Sequence, residues 1–277
     1  MMTTESFYRQ IRETDTPFGT AALWWMGQMG LWIKMGPALL SVDYYADPGE
    51  SRQVPPPVPA EEVRGISFFF GTHDHSDHID HPSWKIWSRI CPDARFILPR
   101  KCIPSVLEDG IPPERLIGLN DGESVSLGEI TVSAVPAAHE FLGRDEKTGL
   151  YPCLQYIIEG NGVRILHAGD TLRYEGLLPR LKAIGKIDAA LLPINGRDAV
   201  RYRENCIGNM TFQEAVDLSG ELKPGLAIPG HWDMFAHNSE NPERFRDYLD
   251  AKYGTAVPCL IPEYQKTILV KADDSIR

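Results

Sequence analysis

A short run of metal-ligand residues is the first feature of this chain that could do chemistry. Residues 72–81 read T-H-D-H-S-D-H-I-D-H, with the core His73-x-His75-x-Asp77-His78. Neutral imidazole together with carboxylate suits Zn²⁺, Mn²⁺ or Fe. A solvated, histidine-rich loop is the alternative. The run follows an apolar segment and precedes an aromatic-rich one, outside any low-complexity tail, which favours a metal site.

The spacing within this run indicates that more ligands are needed. In extended backbone, His73 and His75 would project to one side, and the chain would then bend at Asp77 and His78. Four groups from so short a run cannot all reach one tetrahedral ion, so the sequence predicts a pair of adjacent metals. Three further candidates end predicted strands, where loops hold functional groups on a rigid scaffold: His139, Asp170 and His231.

Three other histidines have different expected roles. His81, just before Pro82, is expected to be an exposed neighbour of a helix N-cap rather than a ligand. His167 is expected in the core or hydrogen-bonded to a ligand carboxylate. For His237 two interpretations are open: it lines the mouth of a substrate site, or it is a plain surface residue.

The elements that position these residues follow from hydrophobic periodicity and turn signals. Strands are predicted at 22–26, 31–34 and 38–42 as a β-meander, at 66–70, 95–98, 187–192, 226–228 and 267–270, and as hairpins at 124–127 with 130–135 and 154–158 with 163–166. Helices are predicted at 82–90, 103–108, 174–184, 211–222 and 242–253. Thr211 and Glu214 are spaced as a capping box.

This order of elements predicts an α/β (α+β) fold with two sheets packed face to face and helices outside. No shift in composition marks a linker, so residues 1–277 are predicted to form a single domain.

Charge and composition narrow the classes of partner. The net charge of −10 disfavours nucleic acid, and an anionic small-molecule substrate would need a local basic pocket. The start of the chain lacks the blocks of a signal peptide, and no apolar run is long enough to span a membrane, so a cytoplasmic location is expected. Five scattered cysteines without a C-x-x-C pair argue against a disulfide framework. The four tryptophans at 24, 25, 84 and 87 suit either a core or an oligomer face, and a homo-oligomer is expected.

The order H-x-H-x-D-H, then His, then G-D-T, then G-H resembles the metallo-β-lactamase superfamily over nearly the whole chain. The resemblance implies a four-layer αββα sandwich of two mixed β-sheets, with a dinuclear metal site at one edge. It also implies the ligands: His73, His75 and His139 for one metal, Asp77, His78 and His231 for the other, and Asp170 bridging.

Within that superfamily, three segments are similar to the UlaG family of L-ascorbate-6-phosphate lactonases. They are 23–30 (LWWMGQMG), 192–197 (LPINGR) and 230–235 (GHWDMF). The resemblance implies a metal-dependent lactonase acting on a phosphorylated or acidic sugar lactone such as L-ascorbate 6-phosphate. It implies two divalent ions, Mn²⁺ as in that lactonase or Zn²⁺ as is common in the superfamily.

The mechanism expected for such a site needs no Ser or Cys nucleophile. A metal-bridging hydroxide would attack the carbonyl, and Asp77 and Asp170 are the predicted catalytic carboxylates, with Asp77 passing a proton to the departing alkoxide. Asn195, Arg197 and His237 are the predicted substrate-binding residues. The Arg197 guanidinium suits a phosphate or carboxylate, and Asn195 could donate to a substrate oxygen. Alternatively, Arg197 belongs to a solvated basic loop and Asn195 only serves a turn.

Other functions remain open at this point. The main alternative is a metal-dependent phosphodiesterase, since the same dinuclear chemistry applies to phosphorus. An iron-loaded O₂ or NO reductase would be expected to carry a flavin domain beyond Arg277. A regulatory role without catalysis is disfavoured by the intact ligand set. β-Lactam hydrolysis is disfavoured because no export signal is evident.

Overall fold

The chain forms two β-sheets with helices on their outer faces. A computed structural model describes residues 1–49 and 51–272. The strands within these residues are β1 Thr20–Gly27, β2 Gly30–Met35, β3 Ala38–Val42, β4 Phe68–Phe70, β5 Arg95–Pro99, β6 Leu116–Leu119, β7 Ser124–Leu127, β8 Ile130–Pro136, β9 Leu154–Gly160, β10 Val163–His167, β11 Ala189–Pro193, β12 Ala227–Gly230 and β13 Thr267–Lys271. The α-helices are α1 Thr4–Glu13, α2 His81–Ile90, α3 Ile103–Leu107, α4 Leu177–Ile184, α5 Ala199–Arg203, α6 Phe212–Leu222 and α7 Pro242–Tyr253.

Both sheets are mixed. The first has the order β13-β1-β2-β3-β4-β5-β6, antiparallel from β13 to β3 and parallel from β3 to β6. The second has the order β12-β11-β10-β9-β8-β7, with parallel pairing from β12 to β10 and antiparallel pairing from β10 to β7. The β-meander and the two hairpins predicted from turn signals are confirmed.

The core is divided into three apolar layers by the two sheets. Because successive side chains of a strand point to opposite faces, Leu31 and Ile33 of β2 enter the layer between the sheets, whereas Trp32 packs outside with Trp84 and Trp87. A third layer lies between the second sheet and helices α4, α6 and α7. The αββα sandwich is confirmed, and the four tryptophans at 24, 25, 84 and 87 are all buried.

The histidine-rich run does not continue a strand. β4 is only three residues long, and residues 72–79 form bends and a turn in which the amide of His78 donates to His75 O at 2.9 Å. The extended arrangement expected for His73 and His75 is therefore wrong. Asp80 ends the run as the N-cap of α2, where it accepts from the Ser83 amide at 3.1 Å.

Several elements differ from the sequence prediction. Helix α1, strand β6 and the short helix α5 were not expected, and α4 begins at Leu177 rather than at residue 174. The polar α1 buries only Phe7, Tyr8 and Ile11, so its apolar stripe is too narrow to stand out in the sequence. In the described part of the chain, no helix combines the length and the apolar character that crossing a bilayer requires.

Candidate metal centre

Loops at one edge of the two sheets bring all seven sequence-predicted ligand residues together. The histidine-rich run follows β4, and the three distant residues follow β8, β10 and β12. Among the described residues there are three groups of possible ligands, and within each group the ligand atoms lie within 4.8 Å of one another. We call His73, His75 and His139 the first group and Asp77, His78 and His231 the second group. The third group, His73, His78 and Asp170, links these two.

The first group consists of three imidazoles whose nitrogens face one another. His73 Nε2 lies 3.0 Å from His75 Nδ1, and His139 Nε2 lies 3.3 Å from the same atom. His73 is buried, whereas His75 is exposed towards solvent. The three ring nitrogens therefore converge on one point, as the ligands of a metal ion do.

The second group places a carboxylate between two imidazoles. His78 Nε2 lies 3.6 Å and His231 Nε2 lies 3.8 Å from Asp77 Oδ2. Asp170 stands between the two groups: its Oδ1 is 3.3 Å from His78 Nε2, and its Oδ2 is 3.1 Å from His231 Nε2. Asp170 Oδ2 also lies 3.7 Å from His139 Nε2, so this carboxylate faces both groups.

The backbone conformation just before Asp170 depends on a glycine. Gly169 has φ +55°, and a Cβ atom at this position would lie 2.8 Å from the Thr72 side chain. A side chain here would therefore push the Asp170 loop away from the histidine-rich run. His231 also adopts a left-handed conformation, with φ 56°, at the end of β12. Both loops accept unusual backbone geometry to place their ligands.

Electrostatics keep both carboxylates ionised. Burial alone would raise the pKa of Asp170, but the neighbouring His231 and His78 outweigh this effect and hold its pKa well below the usual range. Burial likewise opposes ionisation of Asp77, and the same two histidines lower its pKa below the usual value. Each carboxylate can therefore act as a metal ligand at neutral pH.

The imidazoles divide into two kinds. Burial lowers the pKa of His73 well below its usual value and that of His139 to about 4, so both rings are neutral. Burial also disfavours the charged form of His78, but Asp170 and Asp43 outweigh it and raise its pKa. The second group therefore holds protons that a bound cation would replace.

The donor set fits divalent metal. His78 Nε2 and Asp170 Oδ1 are buried and lie 3.3 Å apart, but neither has a hydrogen bond of good geometry with the other or with any other described group, although polar atoms in protein interiors are normally paired. Neutral imidazole with carboxylate is the ligand chemistry of zinc, manganese and iron sites. The unpaired atoms and the facing nitrogens are explained together if cations lie between them.

Two residues outside the ligand set hold Asp77 and His78 in place. Asp43 accepts from His78 Nδ1 at 2.7 Å and from the Thr72 hydroxyl at 2.6 Å. The side chains of Asp43 and His78 are both fully buried. Gln28, in the turn between β1 and β2, donates through Nε2 to Asp77 Oδ2 at 3.1 Å. Neither residue was predicted from the sequence to support the ligands. A polar residue directly after the apolar strand β3 was the available signal for Asp43.

A cavity of about 440 Å³ opens over the centre. The ligand residues His75, Asp77, His139, Asp170 and His231 line its floor. Its walls include the aromatic side chains Tyr45 and Phe235 and the polar residues Asn205, His237 and Asn238. A small molecule in this cavity would meet the carboxylates and imidazoles directly.

Of the predicted substrate-binding residues, only His237 lines this cavity. Arg197 makes a two-pronged ion pair with Glu214, at 2.6 and 2.7 Å, and also donates to Asn209 O. Asn195 is buried and bonds the side chains of Asn209 and Asn238. The predicted contact of Arg197 and Asn195 with a substrate is not supported, because both side chains are used within the protein.

The other two histidines also occupy defined places. His81 is the first residue of α2 and is partly buried rather than exposed; it pairs with Asp109 and, at 2.8 Å, with Asp74. His167 is buried, as expected, but its Nε2 is 2.8 Å from Met29 O and no ligand carboxylate accepts from it. Neither histidine belongs to the three ligand groups found in the described chain.

Comparison with known proteins agrees with this architecture. The family model of the β-lactamase superfamily domain matches residues 41–232, which include all seven ligand residues. The chain belongs to the metallo-β-lactamase superfamily. As a member of this superfamily, it is a metal-dependent hydrolase.

Relatives within the superfamily are distant. The chain is 25% identical to a probable L-ascorbate-6-phosphate lactonase, UlaG, of Escherichia coli O45:K1, over 88% of this chain and 78% of the relative. Among solved structures it is similar to Igni18, a metallo hydrolase of Ignicoccus hospitalis, with a TM-score of 0.70, 19% identity and coverage of 90% and 98% of the two chains. An isothiocyanate hydrolase from Delia radicum gut bacteria gives a TM-score of 0.68 at 16% identity, covering 91% of this chain and 99% of that one. The structural matches at these identities establish the fold.

Proposed function

We propose that this hydrolase holds two divalent cations and cleaves a carboxylic ester of the lactone class. The observation that carries the proposal is the position of Asp170, whose two carboxylate oxygens face different neighbours. Oδ1 approaches His78, and Oδ2 approaches both His231 and His139. A carboxylate placed in this way can bridge two adjacent ions.

The proposed ligand sets follow the geometric groups. His73, His75 and His139 would hold one cation, and Asp77, His78 and His231 the other, with Asp170 shared. Mn²⁺ and Zn²⁺ both suit these donors. When bound, such a pair of cations lowers the pKa of a water molecule and polarises a carbonyl oxygen.

Asp77 is proposed to manage the proton of the attacking water. Its carboxylate lines the cavity, is kept ionised by His78 and His231, and is partly open to solvent at 15% exposure. In the reaction the water oxygen bonds to the acyl carbon, and the acyl carbon–oxygen bond breaks. Asp77 accepts one water proton and returns it to the departing alkoxide, and the second proton leaves with the new acid. No Ser or Cys is required.

The preference for a lactone rests on similarity. The relative of E. coli is described as a probable lactonase, and the alignment covers most of both chains. An identity of 25% supports the type of reaction and leaves the exact substrate to experiment. The sequence predicted a phosphorylated or acidic sugar lactone as the substrate. An anionic substrate of this kind needs a cationic partner, so the residues that line the cavity bear on this prediction.

The experiment is a hydrolysis panel after metal reconstitution. Protein stripped with a chelator and reloaded with Mn²⁺ or Zn²⁺ would be assayed by acid release with lactones, linear esters and bis(p-nitrophenyl) phosphate. The proposal expects ester or lactone turnover that disappears on stripping and in the Asp170→Asn variant. His81→Gln, a histidine of the same run outside the ligand groups, serves as the matched control and keeps activity. Turnover of the phosphodiester alone would contradict the proposal.

A further inference from the structure

The outer wall of the cavity is formed by aromatic and neutral side chains. We use outer wall for Tyr45, Asn205, Ile207, Phe235 and Asn238, together with His237. The rings of Tyr45 and Phe235 are 6.2 Å apart between centroids, and the rings of Phe235 and His237 are 6.0 Å apart. The planes within these two pairs are tilted by 50° and 36°, so the three rings form an aromatic patch of the wall rather than one plane. Such a patch can contact an apolar or aromatic group.

The residues that line the cavity, as far as the structure describes the chain, include no lysine or arginine. Three arginines of neighbouring segments, Arg52, Arg197 and Arg201, hydrogen-bond to other groups of the protein. Arg52 donates to the backbone oxygens of Tyr45 at 2.8 Å, Asp47 at 3.0 Å and Val54 at 2.8 Å. Its guanidinium is 5.1 Å from the Tyr45 ring centroid, and its Nη2 is buried without a hydrogen-bond partner, but Arg52 is not among the residues that line the cavity.

The other two arginines, Arg197 and Arg201, are also paired within the protein. Arg197 is held by Glu214 through two hydrogen bonds. Arg201 donates to the backbone oxygens of Asn195 and Ser239 and lies 3.4 Å from Asp198. Releasing either guanidinium towards a ligand would break several hydrogen bonds at once.

An anionic group at the outer wall would therefore meet no lysine or arginine among the described lining residues, and His237 would be its basic neighbour there. A phosphate ester carries a charge of about −1.5 to −2 at neutral pH. Taking it out of water at the outer wall, away from the proposed cations on the floor and without a guanidinium or ammonium beside it, is unfavourable. The protein's own net charge of −10 adds to this effect. An uncharged group meets no such penalty and gains contact with the rings.

We infer that the substrate is an uncharged ester or lactone whose flat, apolar group packs against Tyr45 and Phe235. This inference rests on the proposed function and specifies its substrate class. It departs from the phosphorylated or acidic lactone expected from sequence. Asn205 and Asn238 would supply neutral hydrogen bonds around the substrate, and Asn195 orients the Asn238 amide by donating to its oxygen at 2.8 Å.

The test compares two esters that differ only in a remote charge, phenyl acetate and 4-acetoxybenzoate, and adds L-ascorbate 6-phosphate as an anionic lactone. For the metal-loaded full chain, kcat/KM would be measured for each. The kcat/KM of phenyl acetate should exceed that of either anionic substrate by about tenfold or more. Arg197→Gln should leave this ratio unchanged, since Arg197 lies outside the cavity. An equal or inverted ratio, or a selective loss of anionic turnover in Arg197→Gln, would overturn the inference.

The aromatic wall is tested by a pair of phenylalanine variants. Phe235→Ala should raise KM for phenyl acetate more than for γ-butyrolactone, which lacks an aromatic ring. Phe18→Ala removes a phenylalanine that is 81% exposed and lies outside the cavity, so both KM values should stay the same. Equal effects of Phe235→Ala on both substrates would contradict the packing.

Binding separates this inference from the proposed function. Acetanilide and 4-acetamidobenzoate are stable amide analogues of the two esters, and their Kd values for the metal-loaded protein can be measured by calorimetry. Tighter binding of the neutral analogue supports the inference even if no ester is turned over, in which case the proposed function fails alone. Tighter binding of the anionic analogue overturns the inference even if esters are hydrolysed.

Discussion

Gln28 and Asp77 are joined by a partly buried hydrogen bond of 3.1 Å, from the side-chain Nε2 of Gln28 to Asp77 Oδ2. The turn that carries Gln28 is fixed to the loop after β12. The backbone N–H of Gln28 donates to Asp233 Oδ1 at 2.9 Å, and the backbone N–H of His231 donates to the backbone oxygen of Gln28 at 2.9 Å. Tyr264 donates to the other oxygen of Asp233. One turn of the first sheet therefore positions two proposed ligands, Asp77 and His231.

We expect Gln28→Asn to weaken the second metal site. Asparagine tolerates the left-handed backbone at this position, φ 54°, but is too short to reach Asp77. Loss of such an outer contact typically lowers metal affinity by about 10- to 100-fold. Calorimetric titration should show one weakened and one normal site. Gln155→Asn, a buried glutamine that bonds Pro136 O, is the control, and two normal sites in Gln28→Asn would contradict the role.

Asp43 is expected to set the orientation of His78. Asp43→Asn keeps the shape but removes the charge that accepts from His78 Nδ1 at 2.7 Å. Affinity at the second site should fall by about 10- to 100-fold, and because the Thr72 hydroxyl also loses its charged acceptor, the free energy of unfolding should fall by about 1–3 kcal/mol. Metal titration and urea denaturation measure the two effects. Unchanged metal affinity would show that Asp43 is purely structural.

Single-ligand variants should separate the two sites. His139→Ala should remove the cation held by the first group, and His231→Ala the cation held by the second. Each variant should retain about one ion per chain and lose turnover, because both ions are needed for the proposed reaction. Elemental analysis after dialysis gives the stoichiometry. If either variant kept two ions, its histidine would not be a ligand.

His81 should make stability depend on pH. Partial burial disfavours its charged form, but hydrogen bonds with Asp74 and Asp109 outweigh this and raise its pKa. Lys85 faces the same aspartate, at 3.1 Å from Asp109 Oδ1. A raised folded-state pKa stabilises the protein fully below the unfolded pKa of about 6.5, and this contribution is lost as pH rises through the folded pKa.

The measurement compares metal-free wild type with His81→Gln by urea denaturation. The difference in unfolding free energy should be larger at pH 5.5 than at pH 9, since the wild-type ring is charged and paired only at the lower pH. A difference that is constant with pH, or larger at pH 9, would contradict the assigned pairing.

Local patterns in the sequence predicted much of the fold. The meander and both hairpins follow from alternating apolar residues with glycine-rich turns, and Thr211 with Glu214 forms the expected capping box. The seven proposed ligands could be predicted from the sequence because each lies in the histidine-rich run or shortly after a strand. Resemblance to the superfamily then supplied their grouping, which spacing alone did not give.

The parts that were missed depend on contacts between distant segments. Gln28 looks like an ordinary turn residue until the fold brings it to Asp77, 49 positions away. Arg197 looks like an anion-binding arginine until α6 brings Glu214 against it. The sequence contains the charge of each residue, but only the fold shows whether that charge is already paired.

The most direct test of the dinuclear account is the metal content of the purified chain beside that of Asp170→Ala. After reconstitution with Mn²⁺ or Zn²⁺ and dialysis, elemental analysis should find about two ions per wild-type chain and fewer than one in the variant, since Asp170 faces both groups. A folded wild-type protein that retains no divalent ion, or an Asp170→Ala protein that retains two, would contradict the account.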